Sequence, residues 1–456
     1  MGVPRSCSSR VMISSSRRTS WGCSVFGYLM RFRPGHTTAS VSASMRSWLM
    51  RVNASAPPLA TFTSASLTRV RAGEDARTRA LRDGAVVLIN LAHNPESHER
   101  FVAWYNAFVA GDADPDALEH DAPWGMNTNN NHYQIDLNRD ALALTQTETR
   151  AVAAELQRWR PQVFVDLHGQ TTQMFFPPPA TPVMPYYPDS YEKWLERMGA
   201  ANGEAFDQHG WSYYVRDVFD LYYPGYWDTY PSLHGAIGMT YETDGGGGKG
   251  VRWRRDDGTI LTFADGIAHH YVASLQTIET AVRGREEMLR DFHGHFAAGM
   301  ESARGSGLRT VVWVPGTRPE RAARLATTLL RHGIEVSRTT ASATVAATSY
   351  MGGARARVSI PAGAYVVDLA QPQGRLAKAI LEPDAQLDSA FIREELESRR
   401  TGRSDRFYDV TAWALPLTYR VPAWWTGAEV GGTEIVTQAM LTPTAAVAVP
   451  RQATYA

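Results

Sequence analysis

Cysteine is nearly absent: the 456 residues hold two, Cys7 and Cys23, both close to the N-terminus. No disulfide framework or thiolate metal site can therefore be built in the body of the chain. Lysine is almost missing as well, three residues against 43 arginines, a bias that reads as GC-rich coding rather than as a functional arginine surface. No run of eighteen apolar residues occurs, so no membrane-spanning helix is expected. No Gly-x-Ser-x-Gly occurs either, which removes the nucleophile elbow of an α/β serine hydrolase. The most uneven absence is that of acid. Residues 1–73 contain no Asp or Glu, but ten Arg and fifteen Ser. All 46 acidic residues thus fall in 74–456, against 36 basic ones, a net charge of −10. An acidic body argues against nucleic acid as a partner.

Residues 1–73 do not read as a fold, because apolar residues follow neither helical nor strand period and Ser14, Ser15 and Ser16 interrupt them. Their composition is that of an organelle transit peptide, or of a stretch translated from a wrong start or frame. Val25 to Phe32 is too short for a secretory core and is interrupted by Arg31. From Glu74 the texture changes. AVVLINLA (85–92) predicts a strand buried on both faces, and VFVDLH (163–168) and AIGMTYET (236–243) predict two more. Thr145 with Glu148 has the form of a capping box, opening a helix closed by Pro161. Helical patterns cover 190–208, stopped by Gly210, and 262–300. The alternation predicts an α/β fold, a mostly parallel or mixed sheet flanked by helices, over residues 74–300. Gly305, Ser306 and Gly307 read as a linker. TVVWVPG (310–316), ERAARLATTLLRHG (320–333) and the following IEVSR form a βαβ pattern. They open a smaller C-terminal α/β domain, 308–456, regular to about residue 420 and irregular in its last Pro-, Thr- and Ala-rich part.

Four segments carry chemistry, in this order: HNPESHERF from His93, NNNHYQIDLNRD over 129–140, VFVDLHGQ over 163–170 and MTYETDGG over 239–246. His168 and Glu242 fall at strand ends, where open α/β sheets bind ligands. A histidine with a carboxylate suits a metal and a general base, although a lone strand-end histidine is more often hydrogen-bonded structure. Asn138 and Arg139 adjoin after an apolar turn. An arginine fork takes a carboxylate in bidentate fashion and Asn adds a donor; the plain alternative is a turn amide and a surface charge. Tyr222, Tyr223, Tyr226 and Tyr230 crowd one loop, as in a lid that brings a phenol to substrate, or simply in a cleft wall. Asp136 and Asp166 read as carboxylates that hold their neighbours in place. His269 and His270 read as packed or solvated. Gly245 to Gly250, with Lys249, fails as a phosphate loop because no Ser or Thr follows the lysine.

Together these segments resemble the zinc carboxypeptidases, the relatives of carboxypeptidase A, over about residues 80–280. DLNRD matches the family's substrate-binding Asn-Arg pair, DLHG its third zinc ligand and TYET its catalytic glutamate strand; NPES stands where an Asn-Pro-Asp-Gly turn is usual. The resemblance implies one Zn2+, with His168 as a ligand and Glu242 as general base. It implies Asn138 and Arg139 on the free C-terminal carboxylate of a peptide substrate, and Tyr223 as the mobile tyrosine, with Tyr222 and Tyr226 as rivals. The reaction would be hydrolysis of the last peptide bond by a metal-activated water. The family's frequent export favours an extracellular location, although no clear signal peptide is present.

One departure is serious. The family's His-x-x-Glu would fall within about residues 36–55, which hold His36 and no acid at all. His93 and Glu96 form a His-x-x-Glu in name only: Glu96 is 42 residues before Asn138, and Pro95 hinders a helical presentation of both side chains. No Arg lies between Phe101 and Leu137 to stabilise an oxyanion, which leaves Asn131 or His132 as donors. The alternative reading is therefore a catalytically impaired relative that binds peptides or glycans without two of the zinc ligands.

Overall fold

Apolar runs become strands of two sheets, and the amphipathic stretches become helices laid against them. In this computed structural model the structure describes residues 26–32, 74–90, 92–108, 113–116, 130–170, 172–243, 251–255, 257–403 and 412–441. His36 and Gly245 to Gly250 lie outside them. In chain order the N-terminal unit contains β1 (Phe26–Phe32), α1 (Ala76–Gly84), β2 (Ala85–Asn90), α2 (Pro95–Phe108), α3 (Thr147–Trp159), β3 (Val163–Gly169) and β4 (Met174–Phe175). Then come α4 (Asp189–His209), β5 (Tyr213–Tyr214), α5 (Thr229–Leu233), β6 (Ile237–Thr243), the hairpin β7 (Arg252–Arg254) and β8 (Ile260–Thr262), α6 (Phe263–Arg283) and α7 (Arg285–Arg304).

The first sheet runs β2-β1-β3-β6-β4-β5. It is mixed: β3 and β6 are parallel, as are β4 and β5, whereas β1 is antiparallel to both neighbours and β4 is antiparallel to β6. Period-two alternation sends Val163, Val165 and Leu167 of β3 to one face, where they pack with Met198 and Phe206 of α4 and Ala273 and Ile278 of α6. Phe164 faces the other way, into a core with Trp227, Tyr230 and residues of the C-terminal half. Each such fully buried Val, Leu or Phe contributes about 1.5–3 kcal/mol. The long helical pattern breaks at Gly284, where a Cβ would stand 2.5 Å from Trp194 Cη2.

The second sheet is built from β9 (Thr310–Trp313), β10 (Ser337–Thr339), β11 (Ala343–Ser349), β12 (Ala356–Ile360), β13 (Tyr365–Asp368), β14 (Ala423–Thr426) and β15 (Thr433–Ile435). It runs β12-β11-β14-β9-β13-β10-β15, every neighbouring pair antiparallel. Its helices are α8 (Pro319–Arg331), α9 (Gly374–Leu381), α10 (Ser389–Thr401), α11 (Leu415–Thr418) and α12 (Gln438–Leu441).

Several expectations change. Phe26–Phe32, within a stretch expected to contribute no fold, is a strand bonded to β2 on one side and β3 on the other. β2 is the end strand of the sheet and mostly half-buried, not buried on both faces. The βαβ pattern is split: β9 and β10 run the same way, but β13 lies antiparallel between them. The chain past residue 420 is not irregular throughout, since β14 sits between β9 and β11. Thr145 does not cap α3. The N-cap is Gln146, without a side-chain cap bond, and Asp140 takes the donors instead: Thr145 N at 3.0 Å, Thr145 Oγ1 at 2.6 Å, Gln146 N at 2.9 Å and Thr149 Oγ1 at 2.5 Å. A buried carboxylate outcompetes a hydroxyl for backbone donors because the charged acceptor makes the stronger bond.

Candidate functional site

The parallel pair β3 and β6 sets the centre of the site. His168 lies opposite Glu242 in register, and both stand at the C-terminal ends of their strands, the edge at which open α/β sheets take ligands. Both are buried, 8% and 7% exposed. The Asp166 Oδ2 carboxylate oxygen lies 2.6 Å from His168 Nε2. A carboxylate only accepts, so Nε2 carries the proton and Nδ1 is the nitrogen left for another partner. Burial opposes charge on this imidazole, but Asp166, and behind it Glu242 and Asp228, outweigh burial and raise His168 to about 9. Burial also lifts Glu242 to about 7; His168 pulls it down, while Asp166 and Asp228 push it up. A carboxyl held there is poised to exchange a proton near neutral pH.

The Asn138–Arg139 turn is brought against this pair by local and distant bonds. Asp136 makes an Asx turn, its Oδ1 accepting from Asn138 N at 2.8 Å. Trp227 pins the turn from outside, its Nε1 donating to Leu137 O at 2.9 Å and its backbone N to Asn138 Oδ1 at 3.3 Å. That orients the amide so that Asn138 Nδ2 faces His168 Nε2 at 3.3 Å. The 2.6 Å bond to Asp166 already holds the Nε2 proton, so the amide is a neighbour of His168 rather than a donor to it. The Arg139 guanidinium stands over the Tyr226 ring, 4.6 Å from its centroid, with Asp136 Oδ2 at 4.0 Å, and it is 30% exposed.

Of the candidate tyrosines, Tyr223 donates to Arg139 O at 3.3 Å and meets Tyr226 edge to face at 5.3 Å. Tyr222 turns away and donates to Gln386 O at 3.0 Å. Gly225 permits the fold-back: a Cβ there would lie 2.3 Å from Tyr223 Cε1. The geometry brings Asn138, Arg139, His168, Glu242 and Tyr223 to one edge of the sheet. Tyr226 joins them, and Tyr222 does not.

No family model matches the chain, and no curated protein matches it. Two solved structures similar to it are a metallo-carboxypeptidase from Burkholderia cenocepacia and one from Pseudomonas aeruginosa in complex with (2-guanidinoethylmercapto)succinic acid. The first has 16% identity and a TM-score of 0.34, over 48% of this chain and 51% of that one. The second has 15% identity and a TM-score of 0.35, over 50% and 53%. The chain spans about half the length of each.

Of the other sequence candidates, His93 borders the site and the rest lie elsewhere. His93 is buried, its ring 4.9 Å from that of Trp227, and burial lowers it to about 4. Its Nε2 has no hydrogen-bond partner among the described residues. Glu96 is not with it; the carboxylate is half-exposed and pairs with His132 at 2.9 Å. Asn131 spends its side chain on Tyr133 N, Ile135 N and Gln146, which shapes its own loop. His269 packs against Phe206 and Trp211.

Three residues of the site were not distinguishable in the sequence. Trp227 looked like one more aromatic in a crowded loop. Asp228, buried, caps α5 and accepts from Thr240 Oγ1 of β6 at 2.7 Å. His270 donates from Nε2 to the His168 carbonyl at 2.8 Å, holding the end of β3 from behind. None sits in a recognisable spacing, so no local signal existed for them.

Zinc held by a protein needs three or more protein donors. His168 can offer one such bond from Nδ1, with Nε2 held by Asp166, only after it gives up the second proton that its raised titration keeps on the ring near neutral pH. Among the described residues, however, no group of three or more His, Cys, Asp or Glu side chains is placed to hold a metal. Residues 1–73 contain no carboxylate to complete one. The donor set of the described residues does not fit the ion that the resemblance implies. Nor, among the described residues, is any helix long and apolar enough to cross a membrane.

Proposed function

We propose that this chain is a carboxypeptidase-type protein whose site takes the free C-terminal end of a peptide. The observation that carries the reading is the juxtaposition of Arg139 and Asn138 with Glu242 and His168 at one sheet edge. The Arg139 fork, backed by Tyr226, takes the terminal carboxylate, and Asn138 adds a donor beside it. Glu242, lifted to about 7, removes a proton from the attacking water and returns it to the leaving amine. Tyr223, hydrogen-bonded to Arg139 O, supplies a phenol to the last residue of the peptide.

The finer form of the reading is a zinc metallocarboxypeptidase. The donor set of the described residues favours a second form, a binder of peptide C-termini without two of the zinc ligands. Metal analysis of the purified protein, with hydrolysis of an N-acylated dipeptide, separates the two. Stoichiometric zinc that is lost in His168→Ala, with turnover lost in the same variant, supports the enzyme. Metal-free protein that binds the dipeptide without cleaving it supports the binder. If turnover is present, Glu242→Gln lowers kcat by about 10²–10⁴-fold while KM stays within a few-fold. A Glu242→Gln variant with wild-type kcat refutes the general-base assignment.

A further inference from the structure

Residues of the C-terminal half reach into the two segments that form the carboxylate-binding side of the site. His332 follows α8 and is fully buried. Its Nε2 lies 2.9 Å from Leu142 O and its Nδ1 lies 2.9 Å from Tyr230 OH. A carbonyl only accepts, so Nε2 carries the proton, and Nδ1 must accept from the Tyr230 hydroxyl. One neutral imidazole thus joins the turn that follows Arg139 to the segment that bears Tyr223, Tyr226 and Trp227. Trp413 makes a second joint. Its Nε1 donates to Ala379 O of α9 at 2.7 Å, fixing the indole in the C-terminal half. The ring meets Tyr222 at 5.4 Å and Tyr223 at 5.6 Å, both edge to face. Tyr222 OH donates to Gln386 O at 3.0 Å, and Gln157 Nε2 to Arg331 O at 2.5 Å. One apolar core runs through Tyr222, Tyr223, Trp227 and Tyr230 into Trp313, Leu325 and Trp413.

We infer that His332 and Trp413 are positioning residues: the C-terminal half holds the Asn138–Arg139 turn and the tyrosine segment in register with each other. The inference rests on the proposed carboxylate-binding reading for its functional consequence, but not for its structural one. Neither residue reaches the sheet edge itself. Each acts through a neighbour, His332 through Leu142 and Tyr230, Trp413 through Tyr223. A carboxylate gripped between Arg139 and the tyrosines is sensitive to their relative placement, because displacements of an ångström weaken oriented contacts steeply.

The test uses the full chain with three substitutions, His332→Leu, His332→Gln and Tyr230→Phe. Glutamine keeps both functions, donating from its amide nitrogen to Leu142 O and accepting from Tyr230 at its amide oxygen. Tyr230→Phe removes one hydroxyl at nearly constant volume and serves if His332→Leu does not fold. Backbone hydrogen exchange needs no activity. In His332→Leu or Tyr230→Phe, exchange rises in 137–144 and 222–230 and stays at wild-type levels in the second sheet, and His332→Gln restores it. With an N-acylated dipeptide, KM or the binding constant rises about tenfold or more in His332→Leu, with kcat changed less, and His332→Gln recovers most of the loss. Exchange that is unchanged in both segments, or raised throughout the C-terminal half, overturns the inference. Local loosening in a protein whose wild type neither binds nor cleaves the peptide leaves the positioning role standing and removes the functional reading instead.

Discussion

Asp166 decides the state of His168. Without the carboxylate, burial, which disfavours the charged imidazole, is opposed only by Glu242 and Asp228. With it, the titration rises to about 9. The sign for stability follows: a raised histidine stabilises the fold fully below pH 6.5 and loses that contribution as pH climbs through about 9. Asp166→Asn therefore moves the His168 titration down from about 9 and lowers stability near neutral pH by about 2–3 kcal/mol, the contribution that the raised imidazole makes there. An NMR titration of the imidazole with denaturant midpoints at pH 7 checks both; an unchanged titration contradicts the pairing. Glu242, Asn138, Arg139 and His168 were legible because each occupies a strand end or turn with a chemical pattern around it. Trp227, Asp228 and His270 were not, because each acts on a residue far away in sequence, and nothing in their own neighbourhoods marks that contact.

The segment from Asp136 to Thr149 shows how one side chain organises two neighbouring elements. Asp140 accepts four hydrogen bonds from Thr145, Gln146 and Thr149, so it closes the turn behind Arg139 and ties it to the start of α3. Thr145 and Glu148 offered a capping box by spacing, but a capping box works only when no stronger acceptor is near. Asp140→Ala leaves several buried donors without a partner and lowers stability by about 2–4 kcal/mol, whereas Thr145→Ala costs about 1 kcal/mol. Thermal unfolding of the two variants checks the order, and equal losses contradict it. Strand positions were read well where apolar runs are continuous, as in β3 and β6. Pairing was not, because period and composition carry no information on which strand lies beside which. The intrusion of β13 between β9 and β10 is of that kind.

The two halves share a core that contains several neutral histidines. Burial, followed by the neighbouring His332 and His295, lowers His234 to about 3. Burial followed by Arg375 lowers His295 to about 4, and burial lowers His332 to about 4. All three lie below the ordinary 6.5, so the unfolded chain binds protons at a pH where the folded one does not. Their stabilisation is complete above about pH 6.5 and is lost as pH falls toward 3–4, with a ceiling on the order of 3–5 kcal/mol each. Guanidinium midpoints are expected to fall steeply as pH drops below 6; a level profile from pH 6 down to pH 4.5 contradicts this account. A fold of two sheets was visible in the sequence as alternating runs, but the shared core was not, because it is made by residues from both halves that meet only in three dimensions.

The most direct measurement is calorimetric binding of an N-acylated dipeptide and of its C-terminally amidated analogue, to the wild-type chain and to Arg139→Ala. The free acid is expected to bind the wild type about tenfold or more tightly than the amide, and to lose that advantage in Arg139→Ala, because the guanidinium fork and the carboxylate form the specific pair. Equal affinity for acid and amide, or an Arg139→Ala variant that still prefers the acid, would contradict the claim that this sheet edge is a carboxylate-reading site.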